Sequence, residues 1–345
     1  MKLKTAIGLI LSTAIAVLSI SSCAPLNNER SSKNDLSGSY VFVAKDIQNQ
    51  YMLKVYEGFF KACSENDMKA AYLGPNTPSV QQQIDIIDNL VKKKVAGIAI
   101  AANDADALEE PLKKAMSEGI KVISLDSSVN KNSRQMHIEQ ADPEQIGRTL
   151  IQTANELVNG KGGIAILSTT RLASNQNIWI RWMNKEISDH PGKYANTPIV
   201  KTVYGDDDPD KSETEVRALL NDSSIDVIIA PTTVGSEVAA RVIRETKSSV
   251  KLTGLGLPSK MATYILDDTC KKIYLWDPRK IGYLAGYSLK ALSDGSVTGA
   301  VGDTFTAGEL GEKTVTADKE GGTEVILGAP ITFDLSNIDE WQDKF

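Results

Sequence analysis

The amino-acid sequence predicts an α/β fold of two doubly wound parallel-sheet lobes that are joined by a three-strand hinge. Short apolar, β-rich runs alternate with amphipathic helices from residue 39 onward. The alternation restarts near residue 142, so that two successive runs of βα units occur. The chain has 345 residues, which is longer than one hydrophobic core usually serves. Two similar lobes account for these observations better than one long sheet.

Residues 1–22 have the composition of an export signal. Lys2 and Lys4 form a short basic region, and the apolar run after them is shorter than a membrane span of roughly 20 residues. The letters ISSC that end at Cys23 resemble a bacterial lipobox, so we expect Cys23 to carry lipid; the alternative is an ordinary cleaved signal with a chance cysteine. Residues 23–38 are rich in Asn and Ser and predict a flexible tether. We therefore expect an extracytoplasmic protein anchored to a membrane by lipid.

Charge and composition argue against several classes of protein. The net charge is −6, and loss of Lys2 and Lys4 with the export signal makes it −8, without clusters of Lys or Arg beyond the three lysines at 92–94. Nucleic acid is therefore not an expected partner. The two remaining cysteines, Cys63 and Cys270, lack metal-ligand spacing, and Cys63 lies in an apolar helical context typical of a buried thiol. With two histidines in the chain, we predict no metal site and no cofactor.

The first run of βα units predicts the first lobe. Its predicted strands are 40–44, 68–72, 95–101 and 120–125. The intervening helices place apolar residues at helical spacing, and Ser79 is a predicted N-cap. We assign residues 39–140 and 277–310 to this lobe.

The second run predicts the other lobe. Its predicted strands are 163–167, 199–203, 225–230, 250–255 and 272–275, and its predicted helices are 142–158, 176–187, 213–220 and 235–245. A helix over 279–292 follows. The glycine-rich end of the chain predicts short strands at 313–316 and 324–327. We assign 141–276 and 311–345 to the second lobe and hinge crossings, with crossings near 139–142, near 276–278 and in the last forty residues.

Polar and aromatic side chains follow the predicted strands at the edge where parallel sheets bind ligands. Lys and Asp form strong charge-assisted hydrogen bonds with hydroxyl groups, Asn and Gln offer paired donors and acceptors, and aromatic rings cover C–H faces. Two facing walls of this kind suit a neutral polyol. The predicted binding residues are Lys45, Tyr51, Met52, Asp126, Asn175, Gln176, Pro231, Thr233, Trp276 and Asp277.

Each candidate also has a structural interpretation. A lysine can form a surface ion pair, and Asp, Asn and Thr residues commonly cap helices or turns. This applies to Asp126 before two serines, to Asn175 and Gln176, and to Pro231-Thr232-Thr233. Asp277 before Pro278 has the pattern of a helix N-cap. The run 206–208, three aspartates, reads as a solvated loop without metal-ligand spacing.

Enzyme signatures are missing from the sequence. There is no P-loop and no G-x-S-x-G motif, and Gly254-Leu255-Gly256 lacks the third glycine of a dinucleotide-binding loop. The sequence therefore predicts a binding protein rather than an enzyme.

Several segments together resemble the type I periplasmic binding proteins of ABC transporters, in the ribose-binding branch. The likeness is strongest to LsrB-type receptors of the quorum-sensing signal autoinducer-2, with rhamnose-binding proteins as near relatives. It covers nearly the whole mature chain and includes the segments 74–80, 125–127, 174–179, 229–231, 275–277, 331–333 and 336–339.

The resemblance implies a ligand site and a partner. LsrB-type receptors hold a cyclic tetrahydroxy furanose through six positions, which fall here at Lys45, Asp126, Asn175, Gln176, Pro231 and Thr233. Asn175 stands where the family has Asp, and Thr233 where it has Ala. The implied ligand is autoinducer-2, or alternatively a rhamnose- or ribose-type sugar. The implied partner of the monomeric receptor is an ABC permease, and the alternative is a membrane histidine kinase to which the ligand is presented.

The two lobes are expected to open and close about the hinge as rigid bodies. A ligand that bonds both walls favours the closed state, which a permease would recognise. On this hypothesis, Asp126→Ala abolishes binding and leaves thermal stability nearly intact.

Overall fold

The computed structural model describes residues 35–345, and the predicted export signal and Cys23 lie outside the described residues. The first lobe begins with three βα units and two further strands. Its elements are β1 (Tyr40–Val43), α1 (Gln50–Glu65), β2 (Ala70–Leu73), α2 (Val80–Lys93), β3 (Gly97–Ile100), α3 (Glu109–Ser117), β4 (Lys121–Leu125) and β5 (Met136–Glu139).

The second lobe repeats the pattern. Its elements are α4 (Pro143–Leu157), β6 (Ile164–Ser168), α5 (Ser174–Asp189), β7 (Ile199–Tyr204), α6 (Pro209–Leu220), β8 (Val227–Ala230), α7 (Thr233–Thr246), β9 (Lys251–Leu255), α8 (Pro258–Leu266) and β10 (Lys272–Leu275). The chain ends with α9 (Pro278–Ser293), β11 (Thr304–Thr306), β12 (Glu312–Thr314), β13 (Thr316–Ala317), β14 (Thr323–Ile326), β15 (Ile331–Asp334) and α10 (Ile338–Trp341). Two short 3₁₀ helices lie at Lys131–Ser133 and Gly308–Leu310.

Each lobe contains one mostly parallel sheet. The first sheet has the strand order β13-β14-β5-β4-β3-β1-β2, and the second has the order β15-β10-β9-β8-β6-β7. The central strands are almost continuously buried because helices cover both faces. The predicted fold class, two doubly wound parallel-sheet lobes with a three-strand hinge, is confirmed.

Three crossings join the lobes. They run from β5 to α4, from β10 to α9, and from β14 to β15. All three lie where the sequence pattern predicted crossings. The short connections hold the carboxyl ends of both sheets toward each other.

The end of the chain is divided between the lobes differently from the predicted boundary at residue 311. The strands β13 and β14 join the first sheet, where β14 pairs with β5, and only β15 joins the second sheet, antiparallel to β10. Residues 316–326 therefore belong to the first lobe. The reason is that β5 is left as a sheet edge when the chain crosses to α4, and β14 covers that edge.

Two helices of the first lobe pack at unusually close range. Gly58 of α1 and Gly282 of α9 lie at their crossing, and a methyl group added to Gly282 would overlap the carbonyl oxygen of Val55. A methyl group added to Gly58 would overlap the carbonyl oxygen of Arg279. The glycines are thus required for backbone contact between α1 and α9.

The strand β5 was not predicted. Its sequence, Met136-His137-Ile138-Glu139, alternates apolar and ionisable residues, yet all four residues are buried. Met136 and Ile138 pack in the main core, while His137 and Glu139 contact each other on the opposite face. The sequence of residues 136–139 was not recognised as a buried strand because buried strands rarely carry ionisable residues.

Two further findings concern thiols and membranes. Cys63 and Cys270 are buried free thiols, as the apolar context of Cys63 predicted. Within residues 35–345 no helix is both long and apolar enough to cross a bilayer.

Candidate functional site

A small cavity lies between the carboxyl ends of the two sheets. Nine of the ten predicted binding residues line it, and only Asp277 does not. The other lining residues are Asn49, Trp179, Asp207, Thr232, Leu255 and Leu275. The cavity measures about 40 Å³, which holds a few water molecules. A monosaccharide therefore requires the walls to move apart.

The wall from the first lobe is built on a buried ion pair. Lys45 follows β1 and Asp126 follows β4, and Lys45 Nζ lies 3.0 Å from Asp126 Oδ2. Their exposed fractions are 7% and 5%. Asp126 has a φ of 60°, a left-handed conformation that Asp and Asn tolerate better than most residues. The pair brings a strong donor and a strong acceptor to one point.

A buried amide network fixes the backbone next to Lys45. Gln83 Nε2 donates to the carbonyl oxygens of Ala44 and Ala101, at 3.0 and 2.8 Å. Gln83 Oε1 accepts from the Asn103 backbone N–H, and Asn103 Nδ2 donates to the Lys45 carbonyl at 3.1 Å. Because these groups are buried and paired, the position from which Lys45 extends is well defined.

Asn175 bridges the two walls directly. It lies in the first turn of α5, and its Nδ2 donates to Asp126 Oδ2 at 3.2 Å. Its Oδ1 accepts from Ser127 Oγ and from the Gln176 backbone N–H, both at 2.9 Å. A second bridge runs from Ser174 Oγ to the Ser128 carbonyl at 3.2 Å. Asn175 is therefore more than a helix cap, since its whole amide group connects the lobes.

Gln176 is held by the strand end of its own lobe. Its Oε1 accepts from Ser168 Oγ at 3.3 Å, from the Thr169 backbone N–H at 3.2 Å and from Thr169 Oγ1. These contacts orient the side chain, so that the amide NH₂ is the group available as a donor toward the cavity.

The third part of the wall begins where β8 ends. Pro231 is buried, and Thr232 caps α7 by accepting from the Gly235 backbone N–H at 3.4 Å. Thr232 Oγ1 also donates to Asp207 Oδ1 at 2.9 Å. Thr233 occupies the first position of α7 and lines the cavity. The helix-start interpretation of Pro231-Thr232-Thr233 and the proposed cavity position are thus compatible.

Three aromatic rings form the back of the cavity. Tyr51 belongs to α1, Trp179 to α5, and Trp276 to the crossing after β10. Trp276 Nε1 donates to the Tyr51 hydroxyl oxygen at 2.7 Å, and the ring centroids of Trp276 and Trp179 are 6.1 Å apart. Burial, together with the charge of Asp126, raises the pKa of Tyr51 well above its usual range. Trp179 Nε1 is buried and has no acceptor among the described residues.

Asp277 is corrected from a binding residue to a structural one. Its side chain caps α9 by accepting from the Arg279 backbone N–H at 3.0 Å, and it forms an ion pair with the Arg279 side chain at 3.2 Å. Pro278 occupies the first helical position, which is the usual pattern for this type of cap. The contacts of the carboxylate are thus with Arg279 of its own helix, and it lies outside the lining of the cavity.

The aspartates at 206–208 differ from one another, because Asp206 and Asp208 lie at the surface, as expected for a solvated loop, whereas Asp207 faces the cavity. Asp206 pairs with Lys211, and Asp208 caps α6. Asp207 lines the cavity, where burial raises the pKa of its carboxyl group while the charge of Lys45 and the Thr232 hydrogen bond lower it. Both Asp206 and Asp207 have a φ of 54°, and these successive left-handed residues separate the directions of the side chains.

A wider opening connects the cavity to solvent. This space of about 880 Å³ shares Asn49, Asp207 and Thr233 with the cavity. Loops of the first lobe at 46–50 and 76–78 face 206–209 of the second lobe across it. Burial raises the pKa of Asp46 in this opening.

Sequence reasoning missed several lining residues. Asp207 follows β7 by three residues, so its position after a strand could have identified it, but the run of three aspartates favoured the interpretation as a solvated loop. The sequence signal for Trp179 is limited to its place in the segment 174–179, which carries the family resemblance. Asn49 caps α1 by accepting from the Tyr51 backbone N–H at 2.9 Å, and the sequence offered only this capping signal.

Comparisons with known proteins agree with this geometry. A protein-family profile described as a periplasmic binding protein domain matches residues 40–296. The chain is 40% identical to an ABC transporter solute-binding protein from Clostridium phytofermentas solved with bound L-rhamnose, with a TM-score of 0.86 and coverage of 90% of this chain and 99% of the other.

Two other solved structures are also similar. A sugar ABC transporter protein from Actinomyces odontolyticus is 36% identical, with a TM-score of 0.70 and coverage of 89% and 98%. LsrB from Clostridium saccharobutylicum, in complex with AI-2, is 23% identical, with a TM-score of 0.82 and coverage of 88% and 99%. The last likeness concerns the fold alone. The matched domain and the two structures with 40% and 36% identity show that the chain belongs to the family of periplasmic binding proteins, the solute-binding proteins of ABC transporters.

Proposed function

We propose that this protein captures a small neutral sugar between its two lobes and delivers it to an ABC importer without changing it chemically. The observation that carries the proposal is the convergence of Lys45 and Asp126 from one lobe with Asn175 and Gln176 from the other. A ligand that bonds both groups favours closure by its differential affinity for the closed state.

The charges of the cavity favour a neutral ligand. One ammonium group, on Lys45, faces the carboxylates of Asp126 and Asp207. Carboxylates accept hydrogen bonds from vicinal hydroxyl groups, whereas a phosphate or carboxylate on the ligand would meet like charge. The unpartnered Trp179 N–H adds a donor for a ligand oxygen. These features support a neutral polyhydroxylated molecule.

A deoxyhexose such as L-rhamnose is our leading ligand. Apolar groups from Met52, Leu255, Leu275 and the aromatic residues line part of the cavity, and they suit a methyl group and the C–H face of a sugar ring. The 40% identical relative was solved with L-rhamnose. This ranking differs from the sequence-based expectation, in which autoinducer-2 came first.

Autoinducer-2 is the second candidate because Lys45, Asp126, Gln176 and Pro231 keep the LsrB-type pattern. Asn175 weakens this candidate. Asn175 Nδ2 donates to Asp126 Oδ2 at 3.2 Å. An aspartate at 175 would instead place two carboxylates at this contact, and because they repel each other, hydroxyl groups of the ligand would have to lie between them. With Asn, the two side chains bond each other directly.

The export and anchoring of the protein extend the proposal. Lipid on Cys23 and the tether over 23–38 would keep the lobes beside a membrane permease. Presentation of the ligand to a histidine kinase is the alternative role. A permease and ATPase encoded by neighbouring genes would favour import, and a kinase would favour sensing.

Isothermal titration calorimetry against L-rhamnose, autoinducer-2, D-ribose and D-arabinose tests the proposal. We expect saturable binding with one site per chain, and L-rhamnose binding tighter than the pentoses. Recovery of unchanged ligand, checked by mass spectrometry, is expected after long incubation. The absence of binding by any of these compounds, or the appearance of a product, would contradict the proposal.

A further inference from the structure

A second cavity lies behind the hinge, separate from the cleft. It measures about 350 Å³, within the range of small-molecule pockets. We call it the hinge cavity. Its walls come from both lobes and include Glu139, Glu324 and Ile326 of the first and Ile178 and Trp182 of the second.

The floor of the hinge cavity contains a buried carboxylate. Glu139 is 6% exposed, and its Oε1 has no hydrogen-bond partner among the described residues. Its Oε2 lies 3.3 Å from His137 Nε2. Burial, and then the charge of Arg134, lower the pKa of His137 to about 3, so the imidazole is a neutral neighbour. Burial, and then the charge of Asp126, raise the pKa of Glu139 well above its usual range, so ionisation of this carboxyl group is unfavourable without a cation beside it.

A second carboxylate lies on the same face of the sheet. Glu324 pairs with His137 and Ile326 with Glu139 in the parallel register of β14 and β5, so Glu139 and Glu324 share one face. In the described part of the chain, Glu324 forms no ion pair. Burial, followed by the charge of Glu139, raises the pKa of Glu324 to about 7.

The cations around the hinge cavity are already paired. Arg134 binds Asp318 at 2.7 Å, and Arg181 binds Glu320 at 2.9 Å. Lys185 pairs with Asp189. Lys319 pairs with Glu144 at 2.7 Å and lies 4.4 Å from the centre of the Trp182 ring. Glu139 and Glu324 are thus the carboxyl groups of the hinge cavity that lack a cationic partner among the described residues.

We propose that the hinge cavity is a second binding site, which takes a small organic cation with an ammonium group on a short apolar body. The ammonium donates to Glu139 Oε1 and to the Glu324 carboxylate, and the apolar body contacts Ile178, Ile326 and the Trp182 ring. The ammonium group of Lys319 already stacks on the Trp182 ring, so this ring is placed to attract a cation. Within residues 35–345 no cluster of three or more ionisable ligands is arranged for a metal ion.

The hinge cavity is separate from the cleft, since the two cavities share no lining residue, and Asp126 of the cleft acts on Glu139 through its charge. Binding of a cation stabilises the ionised glutamates, so protons are released where these groups are protonated. The affinity for the cation is therefore expected to rise between pH 6 and pH 8.

The test is calorimetry with n-butylamine and with 1-butanol as its neutral counterpart, in phosphate buffer to avoid competing amines. We expect saturable binding of the amine, with the alcohol weaker by roughly tenfold or more. Glu324→Gln is expected to weaken amine binding by roughly tenfold or more. Glu340→Gln, the same change on the exposed helix α10, serves as the control and leaves binding unchanged.

Four outcomes of the amine and metal titrations would overturn the assignment, and two outcomes that involve the cleft would do so as well. The four are no saturable amine binding at pH 8, equal binding of amine and alcohol, retention of amine binding by Glu324→Gln, and saturable binding of Mg²⁺ or Ca²⁺ at the same glutamates. Competition with L-rhamnose, or loss of amine binding in Asp126→Asn, would place the amine in the cleft and would equally overturn it. Failure of sugar binding leaves the amine result unaffected, which keeps the two proposals distinguishable.

Discussion

Asp126→Asn is the most direct test of the cleft, because it changes charge and keeps shape. Asp126 Oδ2 contacts Lys45 Nζ at 3.0 Å and Asn175 Nδ2 at 3.2 Å. Asparagine retains one acceptor oxygen and tolerates the φ of 60°. Alanine is a poorer probe than the sequence suggested, since a Cβ without a polar group is strained in this conformation by about 1–2 kcal/mol.

The expected effect on affinity follows from the contacts that are lost. A hydrogen bond to a charged group contributes about 1.5–3 kcal/mol. Loss of one such bond to a ligand hydroxyl is therefore expected to raise the dissociation constant roughly 10- to 150-fold. The buried Lys45 also loses its nearest countercharge, although Asp207 stays close. We expect the free energy of unfolding to fall by about 1–3 kcal/mol.

Calorimetry with L-rhamnose measures the affinity, and urea denaturation measures the stability. Asp222→Asn is the matched control, since Asp222 lies in the exposed loop before β8, at the opposite end of the strand from the cleft. It is expected to bind like the unmodified protein. If folded Asp126→Asn also binds like the unmodified protein, the assignment of Asp126 to the ligand site is refuted.

Three further predictions address other parts of the molecule. Asp207→Asn is expected to weaken sugar binding at least severalfold in calorimetry, because a charged acceptor at the cavity becomes neutral; unchanged affinity would remove Asp207 from the site. Gly282→Ala is expected to lower the free energy of unfolding by about 1–3 kcal/mol in urea, despite the better helix propensity of alanine, because the methyl group meets the Val55 carbonyl. Gly192→Ala, which meets open space, is its control and should have little effect. Glu324 has its pKa raised from 4.5 to about 7, so the stability it contributes is complete below pH 4.5 and is lost as the pH rises to 7. The free energy of unfolding of Glu324→Gln, taken relative to that of the unmodified protein, is therefore expected to rise by about 1–2 kcal/mol from pH 5 to pH 8 in urea denaturation. The same difference in stability at both pH values would contradict the raised pKa.

Strand-end reasoning located much of the candidate site. Lys45 and Asp126 were predicted because they directly follow buried strands, and the parallel sheet brings these positions to one edge whatever the details of packing. Asn175 and Gln176 lie seven and eight residues beyond Ser168, the last residue of β6. Strand-end logic alone could not distinguish them from a helix start, and the resemblance was needed.

Other features depend on contacts that no local pattern carries. Asp207 differs from its neighbours only through its backbone conformation and the hydroxyl of Thr232. The strand β5 escaped prediction because His137 and Glu139 are buried against each other. The placement of β14 in the first lobe follows from the open edge of β5, so missing β5 also led to the incorrect boundary at residue 311.

The contacts of Asn175 indicate how this receptor differs from those with an aspartate at that position. Its amide bonds Asp126 across the cleft, and each such neutral-to-charged hydrogen bond contributes about 1.5–3 kcal/mol when fully formed. The closed form is therefore partly stabilised by the protein itself, whereas two facing carboxylates would favour opening until a ligand separates them. If the ligand binds where we propose, it must replace the bond between Asn175 and Asp126 with bonds of at least equal strength. Hydroxyl groups on adjacent carbons can do so, because one accepts from the amide while the other donates to the carboxylate. Under the proposed function we therefore expect the two side chains to select for vicinal diols, and the apolar and aromatic wall to discriminate among the sugars that possess them.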